Sequence, residues 1–504
     1  MNLQSRKRWH APLFDTLSAL QASGPASYHV PGHKYGTSLP SADEMPAESS
    51  QAMNALRAVM GLDVTELTPT DDLHDPSGVI EDAQRLAAET FGAERTYFLV
   101  GGSTAGNLAM LLAVCGPEAL ILVQRNAHKS VLNGLRLAGA SAVFLMPETD
   151  EGTALPLIPS LEQVEQALNQ YPEAKAVFLT NPSYYGFSVS LQSYADLIHR
   201  HGKMLLVDEA HGAHYGLHPA FPSAALQDGA DAVVQSTHKT LTALTMGAML
   251  HVQGDRIDRD AVLEALRMIQ SSSPSYPIMA SLDITRAMID IHGDGMFEQG
   301  LAAAAAFRAR IGEQQRYGIA VPGRDTVRVD PLRMAVFDRT GTMTGFELQR
   351  RLEAYGCYAE MADSRYVVLL FGIGASLPDV ERLQQALRAI AIEAAQENRW
   401  PHSEPASRMF PNIRQRIPEP VKFGRVGTSR RGVSGVVRIA LDEAEGRISS
   451  EAVIPYPPGI PLLYEGERIT AEMIAVIKQL LADGARCQGA ADPAMRTIAV
   501  AAER

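Results

Sequence analysis

Six short apolar runs in the first half of the chain constrain the fold more than any other feature of this sequence. The runs are RTYFLV (95–100), ALILVQ (119–124), SAVFLM (141–146), KAVFLT (175–180), KMLLVDE (203–209) and DAVVQS (231–236). Each is hydrophobic along almost its whole length, whereas a strand with one face in water alternates apolar and polar residues. Continuous hydrophobicity of this kind predicts strands covered on both faces, as in a mainly parallel sheet.

Amphipathic stretches such as TAGNLAMLLAVC and SLEQVEQALNQY separate these runs and are typical of helices. The alternation predicts an α/β, doubly wound large domain, in which ligands bind beyond the carboxyl ends of the strands. We expect an N-terminal segment at 1–55, this large domain at 56–295, a small α+β domain at 296–398 and a C-terminal domain at 399–504. A Pro- and Arg-rich sequence at 400–420 marks the last boundary.

The net charge and the cysteine content limit the classes of function that the protein can have. The net charge of −12 argues against nucleic-acid or anionic-membrane binding, because neutralising phosphates requires clustered Lys and Arg. The three cysteines, Cys115, Cys357 and Cys487, have no metal-type spacing and are typical of reduced cytosolic thiols. No run approaches the roughly 18 apolar residues that span a bilayer. We therefore expect a cytoplasmic protein whose partner is a small metabolite.

The stretch LLVDEAHGAHYGLH (205–218) has three possible interpretations. A DEAH-box ATPase also needs a Gly-rich loop that ends in Gly-Lys-Ser/Thr, and the chain has no such sequence. A metal site could use His211, His214 and His218, but two glycines and a proline oppose the continuous helix that would place them on one face. The third interpretation is that Asp208, at the end of a buried strand, holds a cofactor. We expect no metal.

Asp208 and Lys239 follow neighbouring predicted strands, and Lys239 lies in QSTHKTLTALTMGAML. A lone lysine at a strand end would ordinarily snorkel to water. Because parallel strands end at one edge of a sheet, however, the acid and the lysine are expected to meet there. Pyridoxal phosphate requires both: a lysine that forms a Schiff base, and a carboxylate that keeps the pyridine nitrogen protonated.

Two further segments fit such a site. VGGSTAGN (100–107) follows a strand and opens a helix, so Ser103 and Thr104 can help bind a phosphate at the helix N-terminus. This signal is weak alone, because glycine turns with Ser or Thr begin many helices. QRNAHKS (124–130) places His128 where an imidazole can stack on a planar ring. Together with Asp208 and Lys239, these segments favour a pyridoxal-phosphate site.

At this point the chain resembles a known family, the bacterial Orn/Lys/Arg decarboxylases, which are pyridoxal-phosphate enzymes of the aspartate-aminotransferase fold type I. The matching blocks run nearly end to end: HVPGHKYG (29–36), DDLHDPSGVIEDAQRLAAETFGA (71–93), GGSTAGN, RNAHKS, NPSYYG (181–186), VDEAHGAH, STHKT, SSPSYPIMASLD (272–283) and IPYPPGIPLLYEGE (454–467). The STHK and YPPGIP blocks are specific to the family, whereas the glycine turn is not. Because the PGHK block begins near residue 31, the chain resembles the short form without the N-terminal wing domain.

The resemblance implies a fold, an assembly and a role for each matched residue. It implies a mainly parallel, seven-stranded-type sheet in the large domain and a homodimer or dimer of dimers with shared active sites, in which Ser272 reaches a neighbouring subunit's phosphate. His211 stands where long members carry tryptophan. The implied catalytic residues are Lys239, His238, Asp208 and His128; the cofactor-binding residues are Ser103, Thr104, His128, Asp208, His211, Ser236, His238, Lys239 and Ser272; and the substrate-binding residues are Glu467, His33 and Asp72.

The implied reaction is decarboxylation of a basic amino acid, arginine being favoured over lysine or ornithine, to the corresponding amine and carbon dioxide. Lys239 or His238 would deliver a proton to Cα. A fold-type I aminotransferase or lyase stays open, because Arg365 in the small domain could grip an α-carboxylate. A non-catalytic pyridoxal-phosphate-binding homologue is a further alternative, although the presence of Lys239, Asp208 and His128 together argues against it.

Overall fold

The structure is a computed structural model that describes residues 9–41, 44–397, 417–423, 435–456, 460–482 and 484–502. Its helices are α1 (Pro12–Ala22), α2 (Ala47–Met60), α3 (Val79–Phe91), α4 (Gly102–Val114), α5 (Lys129–Ala138), α6 (Leu161–Gln170), α7 (Gln192–Arg200), α8 (Thr237–Thr240), α9 (Arg259–Ile269), α10 (Tyr276–His292), α11 (Glu298–Gly312), α12 (Gly345–Ala354), α13 (Leu377–Gln396) and α14 (Ala471–Ala482). Its strands are β1 (Arg95–Leu99), β2 (Leu120–Gln124), β3 (Ser141–Leu145), β4 (Ala176–Thr180), β5 (Phe187–Ser188), β6 (Met204–Asp208), β7 (Ala232–Gln235), β8 (Ala248–Val252), β9 (Tyr317–Ile319), β10 (Arg328–Val329), β11 (Arg333–Asp338), β12 (Met361–Ala362), β13 (Tyr366–Leu370), β14 (Val421–Lys422), β15 (Val436–Ala440), β16 (Ile454–Tyr456), β17 (Arg486–Gln488) and β18 (Thr497–Ala501).

The large sheet has the strand order β1-β8-β7-β6-β4-β2-β3-β14. Strands β3, β2, β4, β6 and β7 pair in parallel, while β8 runs antiparallel between β7 and β1. All six apolar runs of the sequence form strands of this sheet, and seven of its strands lie within residues 95–252. The predicted α/β class with a mainly parallel sheet is therefore confirmed.

Helices cover both faces of the large sheet. Residues of α4, α5 and α9 share one buried apolar cluster with the strands, and residues of α6 and α7 share another cluster on the opposite face. The central strands are thus buried on both sides, which explains why their sequences do not alternate between apolar and polar residues. This doubly wound arrangement leaves the carboxyl ends of β2, β4, β6 and β7 as the edge at which polar side chains gather.

A second sheet, with the order β12-β13-β11-β9, is antiparallel and packs with α11, α12 and α13. The apolar core of this unit is continuous with residues of α1, α3 and α10. This sheet and its helices follow α10 in the chain, and Arg333, the first residue of β11, donates to the backbone carbonyl of Tyr184 at 2.9 Å.

The last described part of the chain contains two small antiparallel sheets, β15-β18 and β16-β17, which share an apolar cluster with α14. Strand β14 precedes this unit and extends the large sheet by pairing with β3. The predicted boundary at residues 398–399 lies outside the described residues. Within the described ranges, no helix combines the length and the apolar character needed to cross a membrane.

Candidate active site

Asp208 and Lys239 lie at the same edge of the large sheet. Asp208 is the last residue of β6, which pairs in parallel with β7 and places Asp208 opposite Val234. The chain leaves β7, passes Ser236 and enters the one-turn helix α8 that carries Lys239. The structure therefore brings the acid and the lysine to the position where this fold binds ligands.

The environment of Lys239 lowers the pKa of its amine. Its Nζ atom lies 3.1 Å from Nε2 of His211. Burial lowers the pKa of Lys239 below its ordinary value, the charge of Asp208 raises this pKa and the charge of Arg333 lowers it. A lowered pKa increases the fraction of neutral amine, which is the form that attacks a carbonyl carbon.

A buried chain of hydrogen bonds connects Asp208 to His128. The side-chain amide of Asn107 donates to Oδ2 of Asp208 at 2.7 Å and to Oγ of Ser130 at 2.9 Å. The Ser130 hydroxyl lies 2.8 Å from Nδ1 of His128. The backbone N–H of Ala210 donates to the second oxygen of Asp208 at 3.0 Å. The carboxylate is thus held in one orientation by two donors.

His128 caps the N-terminus of α5, where its ring accepts a hydrogen bond from the backbone N–H of Ser130. Burial is the main reason why the pKa of His128 is lowered to about 4; the charge of Asp208 raises this pKa and that of Lys239 lowers it. The ring is therefore uncharged at neutral pH. An uncharged imidazole fixed through Nδ1 is suited to stacking against a planar aromatic ring.

The N-terminus of α4 is suited to binding an anion. Gly102 has a φ of +70°, which glycine adopts without a steric penalty, and its N–H donates to the carbonyl of Met246 at 2.8 Å. No side chain caps this end of the helix. The N–H groups of the first turn, around Ser103 and Thr104, can therefore bind a phosphate.

Ser236 and His238 lie just before Lys239. The Ser236 hydroxyl is fully buried and has no hydrogen-bond partner among the described residues. A buried hydroxyl in this state is costly, and it indicates a ligand atom that completes the hydrogen bond. His238 is held by the carbonyl of Gly247, 2.9 Å from Nδ1. These groups, with the start of α4 and Lys239, fit the phosphate and the aldehyde of pyridoxal phosphate.

His211 lies against the amine of Lys239. Its ring centroid lies 4.6 Å from that of Tyr184, and its Nδ1 atom is buried with no partner in the described part of the chain. Burial, assisted by the charges of Lys239 and Arg333, holds the pKa of His211 well below its ordinary value. His211 is therefore a neutral group that contacts the amine of Lys239.

The other two histidines of the 205–218 stretch have different partners. Nε2 of His214 lies 3.1 Å from Asp330, and Nε2 of His218 lies 3.3 Å from Glu298. The three histidines thus point to separate groups. Across the ranges that the structure describes, no three His, Cys, Asp or Glu residues are grouped as metal ligands.

Three of the residues assigned by resemblance make no hydrogen bond to Lys239 or Asp208 among the described residues. Ser272 is exposed in the loop before α10. Nε2 of His33 lies 3.2 Å from Asp63. Asp72 accepts a hydrogen bond from the backbone N–H of His74 at 2.8 Å.

Glu467 is paired with a buried arginine. It accepts two hydrogen bonds from Nη2 of Arg125, at 2.8 and 3.1 Å, and one from the backbone N–H of Tyr464. The guanidinium also lies 3.7 Å from the centre of the Tyr464 ring and donates to two backbone carbonyls of the same segment. Glu467 therefore helps to fasten the C-terminal unit to the end of β2. Residues 457–459 of the same block, the Pro-Pro-Gly turn, lie outside the described residues.

Four polar residues of the site were not singled out in the sequence. Asn107 and Ser130 complete the hydrogen-bond chain and stand inside the quoted GGSTAGN and RNAHKS blocks, so their position after a strand was the available signal. Arg333 and Glu360 lie in the small unit and place opposite charges near Lys239, where Arg333 lowers its pKa and Glu360 raises it. No feature of a single sequence connects them to Lys239.

A lysine, a carboxylate and a helix N-terminus lie at one edge of the sheet, and this arrangement fits a pyridoxal-phosphate-dependent enzyme. The chain belongs to the Orn/Lys/Arg decarboxylase family. The family model described as Orn/Lys/Arg decarboxylase, major domain, matches residues 11–330. The model described as Orn/Lys/Arg decarboxylase, C-terminal domain, matches residues 415–487.

Relatives match over nearly the whole chain. The arginine decarboxylase of Bacillus subtilis is 32% identical over 501 residues, which cover 98% of each chain. The uncharacterised Bacillus subtilis protein YaaO is 38% identical over 482 residues, covering 95% of this chain and 96% of its own. The crystal structure of the Francisella novicida lysine decarboxylase has a TM-score of 0.79 at 18% identity and covers 98% of this chain and 81% of that chain. This structural likeness shows the fold, and the sequence matches confirm the family resemblance.

Proposed function

We propose that this protein decarboxylates a basic amino acid, with arginine favoured over lysine or ornithine, and releases the corresponding amine and carbon dioxide. The observation that carries the proposal is the grouping of Lys239, Asp208 and His128 at the carboxyl edge of the sheet, in a chain of this family. The full-length similarity to an arginine decarboxylase at 32% identity supports arginine. A lysine decarboxylase from Pseudomonas aeruginosa is a more distant relative, at 24% identity.

Asp208 would act on the ring of the cofactor. Pyridoxal phosphate, when bound, supplies a protonated ring that accepts the electron pair left at Cα when the carboxylate departs. The negative charge of Asp208 would keep the ring nitrogen protonated. Asn107 and the N–H of Ala210 hold the carboxylate in the orientation that this role needs.

Lys239 is the group that we expect to return a proton to Cα. His238 is tied through Nδ1 to the carbonyl of Gly247, whereas the Lys239 amine contacts only His211 by hydrogen bond among the described residues. Burial is the main reason why the pKa of Lys239 is lowered, and a lowered pKa makes its amine a better proton donor.

Glu360 is our candidate for the acid that receives the distal cation of the substrate. It directly precedes β12 and is exposed, and its negative charge raises the pKa of both Lys239 and His238. Asp72 and Glu467, the acids proposed from the sequence, already accept hydrogen bonds from other parts of the chain. The net charge of −12 would also attract cationic substrates at low salt.

The assembly that we propose is a homodimer, or a dimer of dimers, with shared active sites. Ser272 lies on an exposed loop from which it would reach the phosphate bound to a neighbouring chain. Tyr28 and Val30, beside the PGHK block, are 96% and 64% exposed and supply apolar surface for such a contact. We also propose a cytoplasmic location, which the three free cysteines support, and a role in polyamine biosynthesis, because the expected products are the corresponding amines.

The second candidate, an aminotransferase or another lyase, rested on Arg365 as a grip for the α-carboxylate. The Arg365 guanidinium instead stacks on the rings of Phe337 and Tyr366, at 5.0 and 5.2 Å. No observation on Arg365 therefore favours this alternative over decarboxylation.

The test is a product assay on purified protein loaded with pyridoxal phosphate and given arginine, lysine and ornithine in turn. The proposal expects carbon dioxide and an equal amount of the amine from one of the three, and no product from Lys239→Ala. A keto acid without carbon dioxide would indicate an aminotransferase instead. A bound cofactor with no product from any substrate would indicate a non-catalytic homologue.

A further inference from the structure

Arg333 is a buried arginine that the function described so far leaves unused. It is the first residue of β11 and is 1% exposed. Its stem passes over the NPSYYG turn, where a Cβ added to Gly186 would lie 2.9 Å from the Cβ of Arg333. Glycine at 186 therefore makes room for the arginine. The Nη1 atom donates to the backbone carbonyl of Tyr184 at 2.9 Å, which fixes the plane of the guanidinium.

The opposite edge of this guanidinium has no hydrogen-bond partner among the described residues. Nε and Nη2 of Arg333 are buried and make no hydrogen bond in the described part of the chain. Among those residues, no carboxylate lies within ion-pair distance of it. Asp330, whose charge faces the same region, lies with Oδ2 3.1 Å from Nε2 of His214, and its Oδ1 accepts from the N–H of Leu332 at 2.9 Å. A buried cation without a counter-charge is costly, so an anion is expected to complete the site in the working protein.

The geometry of the free edge specifies the kind of anion. Nε and Nη2 form one side of the guanidinium fork, and their two N–H groups point in parallel. This edge matches the two oxygens of a carboxylate, which it binds through paired, charge-assisted hydrogen bonds. A phosphate would also match it, but the phosphate-binding groups of the site lie at the start of α4 and at Ser236.

Arg333 is linked to Lys239 through two residues. Tyr184, whose carbonyl holds Arg333, packs its ring 4.6 Å from the His211 ring, and His211 lies 3.1 Å from Nζ of Lys239. The positive charge of Arg333 also contributes to the lowered pKa values of Lys239 and His211. A ligand held at Lys239 therefore brings its own charged groups into the range of Arg333.

We propose that Arg333 binds the α-carboxylate of the amino-acid substrate through Nε and Nη2 and so orients the bond between Cα and that carboxylate. This inference rests on the proposed function, because it assumes an amino-acid substrate at Lys239. The carboxylate loses its charge as carbon dioxide forms. Arg333 therefore stabilises the bound substrate more than the transition state, and its loss raises KM more than it lowers kcat.

The experiment compares ligands with and without the carboxylate on the pyridoxal-phosphate-loaded protein. The pairs are arginine and agmatine, lysine and cadaverine, and ornithine and putrescine, and the pair used is the one that the wild type binds most tightly. Binding is followed by the visible absorbance of the cofactor, in stopped flow for the amino acid before turnover and by equilibrium titration for the amine. The variants are Arg333→Met and Arg333→Lys. Arg365→Met is the matched control, since it removes a small-unit arginine that stacks on rings.

Arg333→Met should weaken amino-acid binding by about 10- to 100-fold, the usual effect of losing a charged hydrogen-bond pair, and leave amine binding within about twofold. Arg333→Lys keeps the positive charge but loses the paired N–H groups of the guanidinium. It should therefore weaken binding less, and again only for the amino acid. Arg365→Met should match the wild type for both ligands. If Arg333→Met does not fold, the Arg333→Lys comparison carries the test.

An equal loss of amino-acid and amine binding in the Arg333 variants, or no loss for either ligand, would overturn the inference. The result is separable from that of the product assay. A wild type that releases a keto acid instead of carbon dioxide refutes the proposed decarboxylation, yet the amino-acid and amine comparison still decides the role of Arg333.

Discussion

Glu467 either stabilises the attachment of the C-terminal block or binds the substrate, and the variant Glu467→Gln distinguishes these two roles. In the structure, Glu467 pairs with Arg125, whose side chain is 4% exposed, while Glu467 itself is 21% exposed. The resemblance, in contrast, implies that Glu467 receives the substrate's distal cation. Changing an acid with a structural role lowers the stability of the protein, whereas changing a substrate-binding acid raises KM.

The expected loss of stability follows from the burial of the pair. Removing one partner of a buried ion pair costs about 3–5 kcal/mol. Glu467 is partly exposed, and glutamine keeps an oxygen that can accept from Arg125, so we expect about 2 to 3 kcal/mol for Glu467→Gln. Glu465→Gln is the matched control. It breaks the pair between Glu465 and Arg136, which are 38% and 30% exposed, and should cost less than about 1 kcal/mol.

The assay combines urea unfolding, hydrogen exchange of β15 and β18, and KM for the amino acid that the wild type turns over. Glu467→Gln should unfold at lower urea, with faster exchange in both strands and a KM within about threefold of the wild type, a change of less than 1 kcal/mol. The reasoning fails if Glu467→Gln is as stable as Glu465→Gln and raises KM strongly. The acid would then serve the substrate and not the attachment of the C-terminal unit.

Three further predictions concern the large sheet. Asp208→Asn should retain the cofactor but lower kcat by about 100-fold or more, because the ring nitrogen loses its charged partner; steady-state rates on the loaded variant test this. Gly106→Ala should destabilise the protein by about 1–3 kcal/mol and weaken cofactor retention, since its Cβ would lie 2.4 Å from Cγ2 of Val234; thermal unfolding and dialysis measure both effects. Burial raises the pKa of Glu209 from 4.5 to about 8, so the folded state binds this proton more tightly than the unfolded state. The stability that Glu209 contributes is complete below its ordinary pKa and is lost as the pH rises through about 8. The drop in melting temperature from about pH 6 to about pH 9 should therefore be larger in the wild type than in Glu209→Gln.

The parts of the fold that the sequence predicted are those that depend on local patterns. Strands covered on both faces need continuous apolar runs, and each of the six runs forms a strand. Strand β8 was not predicted: AMLHV is as long as β1, but His251 interrupts its apolar run, and the strand runs antiparallel to its neighbours. Strand β14 was not predicted either, since its two residues are defined only by pairing with β3.

The candidate site also has a part that the sequence predicted and a part that it did not. Asp208, His128 and Lys239 each follow a predicted strand, so the carboxyl edge of a parallel sheet was enough to suggest that they meet. The pairing of Glu467 with Arg125 joins residues 342 positions apart, and the nearness of Arg333 to Lys239 depends on how the small unit packs. Long-range partners of this kind leave no periodic signal in a single sequence, which is why charge recognition was the least predictable part of the site.

The central claim is that Lys239 holds pyridoxal phosphate covalently at the edge of the sheet. Borohydride reduction of the loaded protein fixes the cofactor on its lysine, and peptide mass spectrometry then identifies that residue. We predict a single modification on the peptide that contains Lys239, with none in Lys239→Ala. Modification of a different lysine in the wild type, or a cofactor that leaves no reducible bond to any lysine, would contradict the account.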